Sequence, residues 1–183
     1  MNTKPTIFPL DGGPLEVRNT LSKWFAVRVR TRYEKKVAAS LEYRGIEHLL
    51  PLFKANRRWS DRIAEVDLPL FPGYVFGRFQ AEARLKVLTV PGVIGIVSTG
   101  KIPIPLDDKE VTSLQTAVNS GFFLQPWPFL KVGDRLTLLD GPLRNVTGIL
   151  TQFKGSNTLV LSISLLQRSV AVSVDRAWVQ PAA

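Results

Sequence analysis

Nine consecutive residues, Leu68-Pro69-Leu70-Phe71-Pro72-Gly73-Tyr74-Val75-Phe76, set the tightest limits on how this chain can fold. Pro69 and Pro72 lack an N–H and fix φ, which keeps the first half out of a sheet interior. From Tyr74 to Phe79 the run is free of proline and rich in β-formers, and it predicts a strand. Alternation then puts Tyr74 and Phe76 on one face, and Val75 and Phe79 on the other. A strand apolar on both faces must be covered on both. The domain's own helices are the expected cover for one face, and a second protein for the other.

The preceding residues build toward that strand. Residues 1–22, with Pro5, Pro9, Gly12, Gly13 and Pro14, show no sustained period and read as a flexible extension. Trp24 to Val29 reads as a strand, with Phe25, Val27 and Val29 on one side and Trp24, Ala26 and Arg28 on the other. Tyr33, Val37 and Leu41 recur every four residues and predict a helix over Tyr33 to Arg44, stopped by Gly45. Ile46 to Phe53 reads as a strand cut at Pro51. Arg57-Arg58-Trp59-Ser60-Asp61-Arg62 is placed at a hairpin tip, where arginines beside an indole can grip phosphate and stack a base.

Further on, Ile63 to Leu68 is a strand, Glu82 to Leu88 a short helix, and Val93 to Val97 another strand. Asp107 and Glu110 have the spacing of a capping box at the start of a helix running to about Asn119. Residues 121–128, with Gly121, Pro126 and Pro128, read as a linker. Beyond it, Arg135 to Leu139, Val146 to Phe153, Thr158 to Ile163 and Ser169 to Val174 are short strands, and Trp178-Val179 is expected to close a small barrel. The fold class is α+β: an antiparallel sheet flanked by helices over 23–120, then a barrel over 129–183.

Charge is distributed unevenly. The whole chain of 183 residues carries +9. Trp24 to Arg62 holds ten basic and four acidic residues, whereas Ile63 to Pro128 holds five and six. A polyanion near the first segment is the expected partner. The chain has no cysteine and one histidine, His48. Iron–sulfur clusters, thiol nucleophiles and disulfides are thereby excluded, and no catalytic residue, metal site or cofactor is expected. No stretch approaches the roughly 18 apolar residues of a membrane span. The N-terminus lacks the pattern of a signal peptide, which gives a cytoplasmic expectation.

Phe71-Pro72-Gly73-Tyr74-Val75 after an N-terminal Trp24-Phe25 strand, followed by Pro91-Gly92-Val93, resembles the NusG family of transcription elongation factors. Lys131-Val132-Gly133-Asp134-Arg135-Leu136, Asp140-Gly141-Pro142-Leu143 and Gly148-Ile149-Leu150 are similar to its KOW motif. Arg58-Trp59-Ser60-Asp61-Arg62 and Leu165-Leu166-Gln167-Arg168-Ser169-Val170 look like the specialised UpxY/RfaH antiterminator pattern within that family.

The resemblance implies an NGN domain over 23–120 and an SH3-like KOW barrel over 129–183. It implies a monomeric antitermination factor that binds RNA polymerase and suppresses pausing or termination. Phe25, Phe71, Pro72, Tyr74, Phe76 and Ile96 match the surface that meets the β′ clamp helices. Glu82 to Lys86 fall near the place that meets the β gate loop. Arg30, Arg32 and Lys36, with Arg57, Arg58 and Trp59 at the tip, match nucleic-acid contacts to the non-template DNA strand or nascent RNA. Leu143, Leu165, Leu166 and Arg168 match the KOW edge that meets ribosomal protein S10 or Rho. RfaH-type barrels can refold as a helical hairpin. Here the β-branched residues of Val146 to Ile149 and Ser169 to Val172 favour a barrel. The alternative is a KOW-bearing RNA-binding or ribosome-associated protein.

Overall fold

The computed structural model describes residues 22–58, 63–127, 135–153, 156–175 and 178. The expected N-terminal extension therefore lies outside the described residues, as does the Trp59 to Arg62 tip.

The first unit is a four-stranded antiparallel sheet in the order β2-β5-β1-β6. Its strands are β1 (Lys23–Val29), β2 (Glu47–Leu49), β5 (Tyr74–Phe79) and β6 (Val93–Ile96). Between β2 and β5, β3 (Leu52–Arg58) and β4 (Ile63–Pro69) pair as a separate two-stranded ribbon. Pro69 ends that ribbon rather than interrupting the central sheet, as its missing donor requires. The small β7 (Ser98–Thr99) and β8 (Ile102–Pro103) make a second ribbon.

Three helices accompany these strands: α1 (Glu34–Tyr43), α2 (Arg84–Leu88) and α3 (Asp108–Asn119). Gly45 ends the first at φ +67°, in the left-handed region that glycine tolerates. Val37, Ala38 and Leu41 of α1, with Val87 of α2, cover the sheet face that carries Phe25, Val27, Val29, Val75 and Phe79. Phe25 and Phe79 stack there with centroids 4.8 Å apart.

The second unit is a five-stranded antiparallel sheet in the order β10-β11-β12-β13-β9. It is built from β9 (Leu124–Trp127), β10 (Arg135–Thr137), β11 (Thr147–Phe153), β12 (Ser156–Ile163) and β13 (Arg168–Ser173). Two sequence expectations are corrected here. Leu124–Trp127, expected inside the 121–128 linker, is a strand, with Leu124 opposite Val172 and Trp127 opposite Ser169. It also supplies a fifth strand where Trp178-Val179 was expected to give one: Val179 lies outside the described residues, and Trp178 packs edge-on against Phe122, centroids 5.7 Å apart. Leu124 is 4% exposed, and burying that side chain outweighs the β-breaking tendency of neighbouring Pro126, which sits on an edge strand where no ladder donor is needed.

The barrel strands stay β, as their β-branched residues predict. Gly148 shows why they pack so closely. A Cβ there would lie 2.7 Å from the Val160 carbonyl oxygen and 2.9 Å from Leu159 Cγ.

Candidate functional site: a covered aromatic ledge

The second face of the first sheet carries Trp24, Ala26, Tyr74 and Phe76, as strand alternation predicts. The Phe71-Pro72-Gly73 turn folds over it, and the Phe71 ring meets Phe76 edge-on at 5.3 Å. Gly73 allows that turn at φ +82°. Its N–H donates to Glu34 Oε1 at 2.9 Å, and its carbonyl accepts from Val29 N at 2.9 Å, which ties the turn to the end of β1 and the start of α1. The ledge therefore has a fixed backbone.

The sequence led us to expect this ledge uncovered, awaiting a partner. In the structure Phe71 is 1% exposed and Phe76 is 0% exposed. The cover comes from the same chain. One contiguous apolar cluster runs from Trp24, Ala26 and Phe76 through Val111, Leu114 and Ala117 of α3 into Leu143, Leu159, Leu161 and Val170 of the barrel. Leu165 and Leu166 pack against the same cluster. The physical reason is simple: a tethered apolar surface on the same chain is always at hand, and burying an aromatic side chain stabilises by about 2–3 kcal/mol.

Polar contacts fix how the barrel sits. Arg168 donates from Nη1 to the Pro72 carbonyl at 3.0 Å and lies over the Tyr74 ring, 5.2 Å from its centroid. Glu110 accepts two hydrogen bonds from Ser164, at 3.0 Å from the backbone N and 2.6 Å from Oγ. Ser113 Oγ accepts from Thr147 N at 3.2 Å. Glu110 is thus drawn away from the capping box that its spacing suggests. Asp107 still caps α3 by accepting from Lys109 N at 2.7 Å. The short turn Ser164–Leu166 and the left-handed Gln167, φ 50°, aim Arg168 at the ledge.

The six residues matched to the clamp-helix surface do not share one surface. Phe71, Tyr74 and Phe76 join the barrel-side cluster, with Pro72 exposed at its rim. Phe25 and Ile96 pack on the opposite face, against α1, because alternation along β1 sends Phe25 with Val27, and Ile96 pairs with Val27. Of the KOW-edge residues, Leu143 is fully buried, whereas Leu165, Leu166 and Arg168 are half-buried where the barrel meets the first unit. Arg30, Arg32 and Lys36 are exposed together before and along the start of α1. Arg57 and Arg58 end β3, and Trp59 lies outside the described residues. Sequence reasoning missed Glu110, Ser113 and Ser164 as contacts between the units. Only the capping-box spacing marked Glu110, and it pointed to a local role.

Comparison with known proteins now fixes the family. Residues 22–115 match the family model described as "NusG: Transcription termination factor nusG". The chain is 27% identical over 180 residues to the transcription termination/antitermination protein NusG of Chlamydia pneumoniae, covering 85% of this chain and 92% of that one. It is 27% identical over 175 residues to the protein of the same name from Thermus thermophilus, covering 84% and 95%. A solved structure titled "Domain interaction in Thermotoga maritima NusG" superposes with a TM-score of 0.52 at 24% identity, covering 87% of this chain and 97% of that one. With its sheet, its Pro-Gly turn and its following barrel in this order, the chain belongs to the NusG family.

Proposed function

We propose that this protein is a cytoplasmic transcription elongation and antitermination factor that docks on RNA polymerase through the aromatic ledge. The docking surface is Phe71, Pro72, Tyr74 and Phe76, seated on the clamp helices of the β′ subunit, with the Glu82 to Lys86 segment toward the β gate loop. The observation that carries this reading is the ledge itself: large rings on a rigid turn, under a cover supplied by the barrel of the same chain and pinned by Arg168, Glu110 and Ser113. Aromatic anchors of this kind carry the binding energy of interfaces. Docking requires the barrel to move aside, so polymerase binding and domain opening are coupled. The displaced barrel then offers Leu165, Leu166 and Arg168 to a partner such as ribosomal protein S10 or Rho. Holding both sides of the polymerase channel disfavours the paused state, a population shift rather than chemistry. The exposed Arg30, Arg32 and Lys36 contact phosphates of the non-template strand.

Two assays test the proposal. Transcription by purified polymerase across a pause site is expected to show faster escape when the protein is added. Co-purification with polymerase is expected to fall at least tenfold for Phe71→Ala and for Tyr74→Ala. Unchanged capture in both variants would refute the docking surface.

A further inference from the structure

One peptide of the ledge is gripped from both ends. Phe71 to Tyr74 is a tight turn, closed by Tyr74 N donating to the Phe71 carbonyl at 3.1 Å. Pro72 and Gly73 fill its two central positions, and Gly73 at φ +82° makes it a type II turn. The peptide between them is planar, so its carbonyl and its N–H point opposite ways. The Gly73 N–H points to α1, where it donates to Glu34 Oε1 at 2.9 Å. The Pro72 carbonyl points away from α1 and accepts from Arg168 Nη1 at 3.0 Å.

Glu34 is what keeps that carbonyl outward. A type II turn becomes type I by flipping this one peptide, and the flip would take the N–H away from the carboxylate. Glu34 is 4% exposed, and a carboxylate so buried holds its donor strongly. Both partners belong to the first unit, so the carbonyl is presented whether or not the barrel is in place. Beside it stands the half-buried Tyr74 ring, with the Arg168 guanidinium 5.2 Å from its centroid.

Carbonyl and ring together form a slot for a flat cation. A guanidinium can lie over an aromatic face and still donate an N–H from its edge, whereas an ammonium has no such plane. A wholly apolar partner seated on the ledge would cover the Pro72 carbonyl and leave it without a donor. Whatever replaces the barrel must therefore bring a donor of its own to this point. We infer that the docking partner inserts an arginine side chain between the Tyr74 ring and the Pro72 carbonyl, and that Arg168 is the chain's own occupant, displaced by it. The inference rests on the docking surface proposed above and deepens it by naming the chemistry of the partner's anchor. Glu34 is the positioning residue of the slot.

The test is polymerase capture by the full chain carrying Arg168→Ala, in which the slot is empty and any further loss reads the partner alone. Adding Tyr74→Phe keeps the ring face and is expected to leave capture within about twofold; adding Tyr74→Leu keeps only the apolar bulk and is expected to lower it about tenfold. Where the leucine variant does not melt cooperatively, Tyr74→Met takes its place. Polymerase whose accessible arginines are blocked with phenylglyoxal is expected to be captured equally by the two variants. A difference that survives the blocking would assign it to ring shape and overturn the slot. Equal capture by the phenylalanine and leucine variants of untreated polymerase would also overturn it, while a loss on Phe71→Ala in the same background leaves the docking surface standing. If Phe71→Ala changes nothing either, both fall.

Discussion

Both faces of the first sheet carry a buried apolar centre, yet the covers differ in kind. One face is closed by α1 and α2, a few residues away in sequence, through apolar contacts such as Val37, Leu41 and Val87. The other is closed by α3 and by a barrel that follows it, pinned by Arg168, Glu110 and Ser113. The first cover behaves as core. The second behaves as an interface, with an apolar centre and polar contacts around it. Burial alone does not separate them, since Phe76 and Val75 are equally buried on adjacent positions of one strand. On the proposed docking model, what separates them is whether the cover can leave without unfolding the unit beneath.

That difference can be broken from either side. The largest effect is expected from Leu41→Ala in the permanent cover, a loss of about 2–5 kcal/mol of stability in urea unfolding. A loss below 1 kcal/mol would mean that this face is not core. Next, Gly148→Ala forces a Cβ against the Val160 carbonyl oxygen and is expected to cost about 1–3 kcal/mol, seen as faster amide exchange in the barrel strands while β1 and β5 stay protected. Equal loss in both units would show that they fold as one.

On the proposed docking model, the barrel-side cover should respond differently. Arg168→Ala deletes the Tyr74 stacking contact and the bond to the Pro72 carbonyl, together worth about 1–2 kcal/mol. Polymerase capture is expected to tighten by a similar factor, with hydrogen exchange accelerated around Phe71 to Tyr74 and the unfolding of β1 unaffected. Glu110→Ala should act in the same direction by about 1 kcal/mol, because Asp107 still caps α3. Destabilisation of α3 alone, without opening, would assign Glu110 to the helix end after all.

The smallest effect belongs to a contact in neither cover. Lys54 on β3 pairs with Glu65 on β4, and the hydrogen bond and charge of that carboxylate raise the lysine above its ordinary range. A raised folded-state pKa contributes below the unfolded value and is lost as pH climbs through the folded one. Since the pair is exposed, Lys54→Met is expected to leave the urea midpoint unchanged within error at neutral pH.

Much of this fold was legible in the residues. The period of two along β1 and β5 assigned each side chain to its face, and the spacing of Val37 and Leu41 marked the stripe that buries. The KOW-like strands and the glycine at 148 announced a tight barrel. These features depend on backbone geometry and near neighbours, which a sequence displays directly. The clamp-helix set read from resemblance mixed the two faces; the β1–β5 register, which sets Ala26 opposite Phe76, is what separates Phe25 from Phe76.

Three matters were decided only by tertiary structure. The segment with Pro126 became an edge strand because β13 offered it a partner. Glu110 left its capping box because Ser164 came within reach from 54 residues away. The ledge was covered by the chain's own barrel. A sequence states that rings such as Phe71 and Phe76 must be shielded from water, because that cost resides in each side chain. It does not state by what, because the identity of a cover depends on which complementary surface the folded chain brings alongside.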